Sequence, residues 1–130
     1  MEFMLDTDIS SYIIKGNNDK LMPRFVQEYE SCSISAITAA ELQYGATKNG
    51  NASLIKKVRD FCNLLEIVSW TAEAAVNYAK IRNDLEKAGT PIGNMDMLIA
   101  ASALAENKVL VTNNNNHFSR IPSLVLENWC

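Results

Sequence analysis

Two carboxylates, Asp6 and Asp8, stand two positions apart in the stretch MLDTD, where a short apolar run meets a stretch of helical periodicity. An acid at such a junction either caps the helix, by accepting from the free N–H groups of its first turn, or holds something positively charged. Asp96 is the most informative of the acids. Met97, Leu98, Ile99, Ala100 and Ala101 follow it, an environment too apolar for an uncompensated charge. The modest alternative is an acid in the first turn of a helix, favoured by the helix dipole by about 0.3–1 kcal/mol. Glu41 poses the same question inside ITAAELQYGA, among small and apolar neighbours, where the alternative is an exposed helix glutamate. Were Asp6, Glu41 and Asp96 to converge, their repulsion would raise their pKa values unless a cation intervened. Hard oxygen ligands without a nearby set of Cys or His point to Mg²⁺ or Mn²⁺. The chemistry that suits such a cluster is phosphodiester hydrolysis, in which the metal makes a nucleophile of bound water and offsets charge in the transition state.

Convergence depends on the elements that carry these acids. Short apolar runs at Phe3–Leu5, Cys32–Ile34, Ile67–Val68 and Val109–Val111 read as strands, with Leu124–Leu126 as a further one. Between them, helices are expected over Ile9–Lys15, Met22–Tyr29, the segment SAITAAELQYGA capped by Ser35, Asn51–Leu64 and Thr71–Ala88. Gly89, Pro91 and Gly93 break the pattern before an apolar helix, Met95–Ala105. Strands alternating with helices predict a single domain over residues 1–130: an α/β fold, a three-layer α/β/α sandwich around a central, mostly parallel sheet. In open sheets of this kind ligands collect outside the carboxyl ends of the strands. Asp6 falls there, as do Asn113 and Asn114 after Val109–Val111, while Glu41 and Asp96 lie early in helices.

Composition narrows the function classes. The 130 residues carry a net charge of −3, which argues against binding nucleic acid by bulk positive charge but leaves room for a local site. No apolar run reaches the ~18 residues of a membrane span and no signal pattern opens the chain, so a cytoplasmic protein is expected. Cys32, Cys62 and Cys130 are scattered and read as free thiols, two of them buried. His117, within NNNNHF, reads as a surface-loop histidine rather than a general base, and the asparagine run as a turn. Trp70 and Trp129 read as packing residues.

Taken together, MLDTD, SAITAAELQYGA, GTPIGNMDMLIAASALA, LVTNN and IPSLVLENW resemble the VapC-type PIN-domain ribonucleases, the toxin halves of bacterial toxin–antitoxin pairs. The resemblance runs over essentially the whole chain, in order and spacing. It implies a Mg²⁺-dependent endoribonuclease (Mn²⁺ being an alternative), usually a homodimer, with a VapB-type antitoxin whose tail blocks the acidic pocket. It implies metal-binding and catalytic roles for Asp6, Glu41 and Asp96. The family's fourth acidic position falls on Asn114, shortly after Thr112, with Asn113 beside it. Asp8 stands where the subfamily usually has Asn. Members most like this chain cut transfer RNA, often the initiator, in the anticodon region.

The resemblance sharpens the question posed by the two aspartates. Asp6 is expected to point out of the carboxyl end of the sheet toward the metal, and Asp8 to cap the helix, since Asn caps as well as Asp. Two rival readings fit the same residues. A haloacid-dehalogenase-like phosphatase would use Asp6 as nucleophile and Asp8 as acid, with Ser10 near the Thr of that signature. A catalytically inactive PIN-like module would only bind RNA or protein. Lys15, Lys48, Lys56, Lys57 and Arg59 could contact RNA, though charged helix faces are more often simply solvated.

Overall fold

The short apolar runs and the stretches of helical period along the chain become alternating strands and helices in the computed structural model, which describes all residues, Met1–Cys130. The order is β1 (Phe3–Leu5), α1 (Thr7–Lys15), α2 (Leu21–Glu28), a 3₁₀ turn (Tyr29–Ser31), β2 (Cys32–Ser35), α3 (Ala36–Asn49), α4 (Ala52–Leu64), β3 (Glu66–Val68), α5 (Ala72–Lys87), α6 (Asn94–Ala105), β4 (Val109–Val111), α7 (Asn115–Phe118) and β5 (Leu126–Glu127). The five strands make one wholly parallel sheet, β3-β2-β1-β4-β5.

Helices cover both faces of this sheet, so β1 and β4 are apolar along their whole length and β2 is buried throughout. Phe3, Leu5, Ile34, Val109 and Val111 pack with Ile9, Ile13, Phe25, Leu42 and Phe61, drawn from α1 to α4. Met4 and Leu110 point the other way, into a cluster with Ile81, Leu85, Ile99 and Phe118 from α5 to α7. Each such side chain, fully buried, contributes about 1.5–3 kcal/mol. The three-layer sandwich expected from the pattern is the fold observed.

Helix ends follow local chemistry. Ser35 caps α3, its hydroxyl accepting from Ile37 N–H at 3.1 Å, as expected. Asn51 and Thr71 cap α4 and α5. Gly89 follows α5 at φ +70°, a conformation that strains any residue with a Cβ, and so ends the helix. Trp129 stacks edge-on against Phe3 with centroids 4.9 Å apart, and the Trp70 indole N–H donates to Leu98 O, so both act as packing residues. Cys32 and Cys62 are buried and Cys130 half-buried, all free.

Three expectations need correction. The last strand is Leu126–Glu127 rather than Leu124–Leu126, because Leu124 turns into the second core instead of pairing with β4. The asparagine run is not only a turn: Asn115 begins the short helix α7, which the fully buried Phe118 ties down. The cap of α1 is Asp6, not Asp8. Asp6 has extended backbone (φ −76°, ψ 176°) and its Oδ1 accepts from Ile9 N–H at 2.8 Å. Asp8 is an exposed residue of the first turn.

Topology places the site. The chain winds from β1 outward through β2 to β3, then returns to lay β4 and β5 on the other side of β1. The strand order therefore reverses between β1 and β4, and a crevice opens at the carboxyl ends of these two strands. Asp6 leaves β1 there and Thr112 leaves β4.

Candidate active site

Asp6 is held from three directions. Its N–H donates to Val111 O at 3.0 Å, its Oδ1 caps α1, and its side chain is buried beside the Thr112 hydroxyl. Burial pushes its carboxyl up from 3.8 to about 6; Thr112 and the Ile9 N–H pull it back, while the charges of Asp8 and Asp96 push it up further. Thr112 is itself fully buried, and its Oγ1 accepts from Asn114 N–H at 2.9 Å. One hydroxyl thus ties the loop after β4 to the acid after β1.

Asp96 stands at the third position of α6, whose cap is Gly93. Burial raises its carboxyl, the His117 imidazole lowers it, and Asp8 raises it again. His117 Nδ1 lies 3.8 Å from Asp96 Oδ2 and 2.8 Å from Asn114 Nδ2. The histidine read as a surface-loop residue therefore sits in α7, with its ring turned toward an acid of the crevice. That placement follows from the α7 turn, which sets residue 117 three positions after Asn114.

Glu41 approaches from α3. Its Oε1 accepts from the Thr7 hydroxyl at 2.6 Å, next to Asp6 in sequence. Asn113 is not brought inward: its Oδ1 accepts from Asn128 Nδ2 at 3.0 Å on the exposed side. Asp8 is exposed but close enough for its charge to be felt at both Asp6 and Asp96. Thr7 and Thr38, which connect to Glu41, escaped the sequence reading; the only signal was a hydroxyl lying between the two aspartates.

The arrangement is a set of carboxylates with no lysine or arginine against Asp6, Glu41 or Asp96. No three acids, imidazoles or thiols are gathered at ligand distance around one point. The donor set nevertheless fits a hard divalent cation, since a carboxyl raised chiefly by burial, and further by the charges of Asp8 and Asp96, is the state that such an ion relieves. A groove of about 290 Å³ lies beside Glu41, lined by Thr7, Asp8 and Lys15 together with Ile14, Leu54 and Val58.

A parallel α/β sandwich with acids at its switch point defines a class, and the comparisons with known proteins name it. The PIN-domain family model matches residues 3–124. Ribonuclease VapC2 of Rickettsia felis is 42% identical over 132 residues, covering 99% of this chain and 98% of the relative. The tRNA(fMet)-specific endonuclease VapC of Salmonella typhimurium is 37% identical over 131 residues, covering 100% and 99%. Among solved structures, that of VapBC2 from Rickettsia felis bound to a promoter DNA fragment matches with TM-score 0.92, at 41% identity and full coverage of both chains. The chain belongs to the PIN-domain family. Within it, the chain is one of the VapC-type ribonucleases. This membership sets aside both the phosphatase reading and the inactive binding module.

Proposed function

We propose that this chain is the toxin half of a toxin–antitoxin pair, a Mg²⁺-dependent endoribonuclease (Mn²⁺ serving in its place) that cuts transfer RNA. The observation carrying the metal-centred part is the buried Asp6 carboxyl, raised to about 6 among acids without a cationic partner. Asp6, Glu41 and Asp96 would hold the ion, and Asn114, with Thr112 behind it, occupies the place of a fourth acid. When bound, the metal supplies an activated water and a counter-charge for the phosphoryl oxygens. Thr112 steadies Asp6 and fixes the Asn114 backbone. His117 and Asn114 brace one another beside Asp96, where they can present N–H donors to a phosphate.

Initiator transfer RNA as substrate is supported by the likeness to the tRNA(fMet)-specific endonuclease of Salmonella; a cut in the anticodon region rests on the family resemblance of the motifs alone. The partner reading rests on solved relatives that are VapBC complexes and on the groove beside Glu41. A VapB-type antitoxin segment with apolar residues for Leu54 and Val58, followed by an arginine fork for the carboxylates, would fill it. A homodimer acting in the cytoplasm, where its substrate is, completes the proposal; no helix is long and apolar enough to cross a membrane.

The test is incubation of the purified chain with total tRNA in Mg²⁺, Mn²⁺ or EDTA, with the cut ends mapped. Discrete cleavage of initiator tRNA that requires the metal is expected. Undiminished cutting in EDTA would sink the metal-centred reading, and cutting confined to other RNAs would sink the substrate.

A further inference from the structure

Thr7 Oγ1 lies 2.6 Å from Glu41 Oε1 and 3.3 Å from Thr38 Oγ1. A hydroxyl carries one proton and an ionised carboxylate only accepts. Thr7 must therefore donate to Glu41, and Thr38 must donate to Thr7. Thr38 is fully buried, so no solvent offers its proton another home. The direction of the chain, from Thr38 through Thr7 to Glu41, is fixed by this count, and each bond polarises the next.

The placement of the chain gives it a role. Thr38 precedes Glu41 by three residues on α3, about one turn, so the two side chains lie on one face. Thr7 opens α1 immediately after Asp6, whose carboxylate is tied to the same first turn through Ile9 N–H. Two acids from separate elements are thus referred to one turn of one helix. We propose that Thr7 is a positioning residue: its hydroxyl holds Glu41 by Oε1 and leaves Oε2 to the divalent cation. This rests on the metal-centred reading above and adds to it the group that aims one of the ligands. Partners of this kind behind a metal ligand fix its orientation, and removing one weakens metal affinity about 10–100-fold.

The experiment is a titration of Mn²⁺ into the full-length, metal-free chain, with free Mn²⁺ read from its electron paramagnetic resonance signal. Thr7→Val keeps the shape and removes the hydroxyl, but strands the buried Thr38 proton and can unfold the chain. Thr7→Val with Thr38→Val removes both partners at once, the less disruptive exchange. The expected result is about 10–100-fold weaker Mn²⁺ binding in the folded valine variants. Thr7→Ser, which restores the donor, is expected to stay within about threefold of wild type. Wild-type affinity in the double variant, or an equal loss in Thr7→Ser, overturns the positioning role. Failure of the wild type itself to bind Mn²⁺ overturns the metal-centred reading beneath it, and the inference falls with it.

Discussion

At Asp6 one carboxylate caps α1 while sitting buried beside Asp8 and Asp96. Its rise from 3.8 to about 6 means that the folded chain holds a proton that the unfolded chain has already lost. What Asp6 contributes to metal-free stability is therefore fully present below pH ~4, is lost as pH rises toward about 6, and does not change above it. The loss amounts to on the order of 3 kcal/mol, and denaturant midpoints measured across that range would show it. Asp6→Asn keeps a capping oxygen without the charge. It should raise metal-free stability at neutral pH by roughly 1–2 kcal/mol and flatten this decline. It should also cut single-turnover cleavage by about a thousandfold or more, on the order of 4 kcal/mol. Asp8→Asn, at an exposed position, should stay within about tenfold. Equal damage from the two would make Asp8 a ligand. Mg²⁺ at a hundredfold excess over its dissociation constant should stabilise wild type by about 2.7 kcal/mol, and Asp96→Asn should lose most of that response. That an acid stands at the carboxyl end of β1 was legible in MLDTD, but which aspartate caps α1 was not. Thr7 and Asp8 carry no apolar signal, so the visible helical pattern began at Ile9 and put the cap one acid too late.

Among the elements, α7 is the least legible and the most consequential. Four consecutive asparagines read as a turn because Asn tolerates left-handed backbone, yet Phe118, fully buried in the second core, winds the run into a helical turn. Only that turn brings His117 to Asn114 and Asp96. Phe118→Ala should cost about 3–5 kcal/mol, with amide exchange quickening first over residues 112–118. Cleavage should fall even where the remainder stays folded; unchanged exchange in that segment would show that α7 is held by something else. The pattern elsewhere was readable where strands are apolar along their whole length, as in β1 and β4, and where helices carry their own side-chain cap, as at Ser35 and Asn51. The Thr38–Thr7–Glu41 chain was not, since it joins residues 31 and 34 positions apart that no local period relates.

For the molecule as a whole, a net charge of −3 leaves RNA to be held by a few local contacts. Binding of tRNA to the Asp96→Asn variant should weaken with salt at a logarithmic slope no steeper than about −3, the value for some four phosphates on a single strand. A slope of −6 or more would reveal a broad basic surface instead. The sheet order has a consequence in time. β1 is the first strand to be synthesised, yet it lies in the middle of the sheet and needs β4 as a neighbour, more than a hundred residues later. Asp6 waits longer still, since the carbonyl that receives its N–H belongs to Val111 and the hydroxyl beside it to Thr112. Contacts of such long range form late in folding and cannot form at all on a nascent chain that stops short of β4. Every polypeptide that stops short of β4 therefore lacks the wall against which its first acid must stand, and the crevice is completed only when translation is almost done.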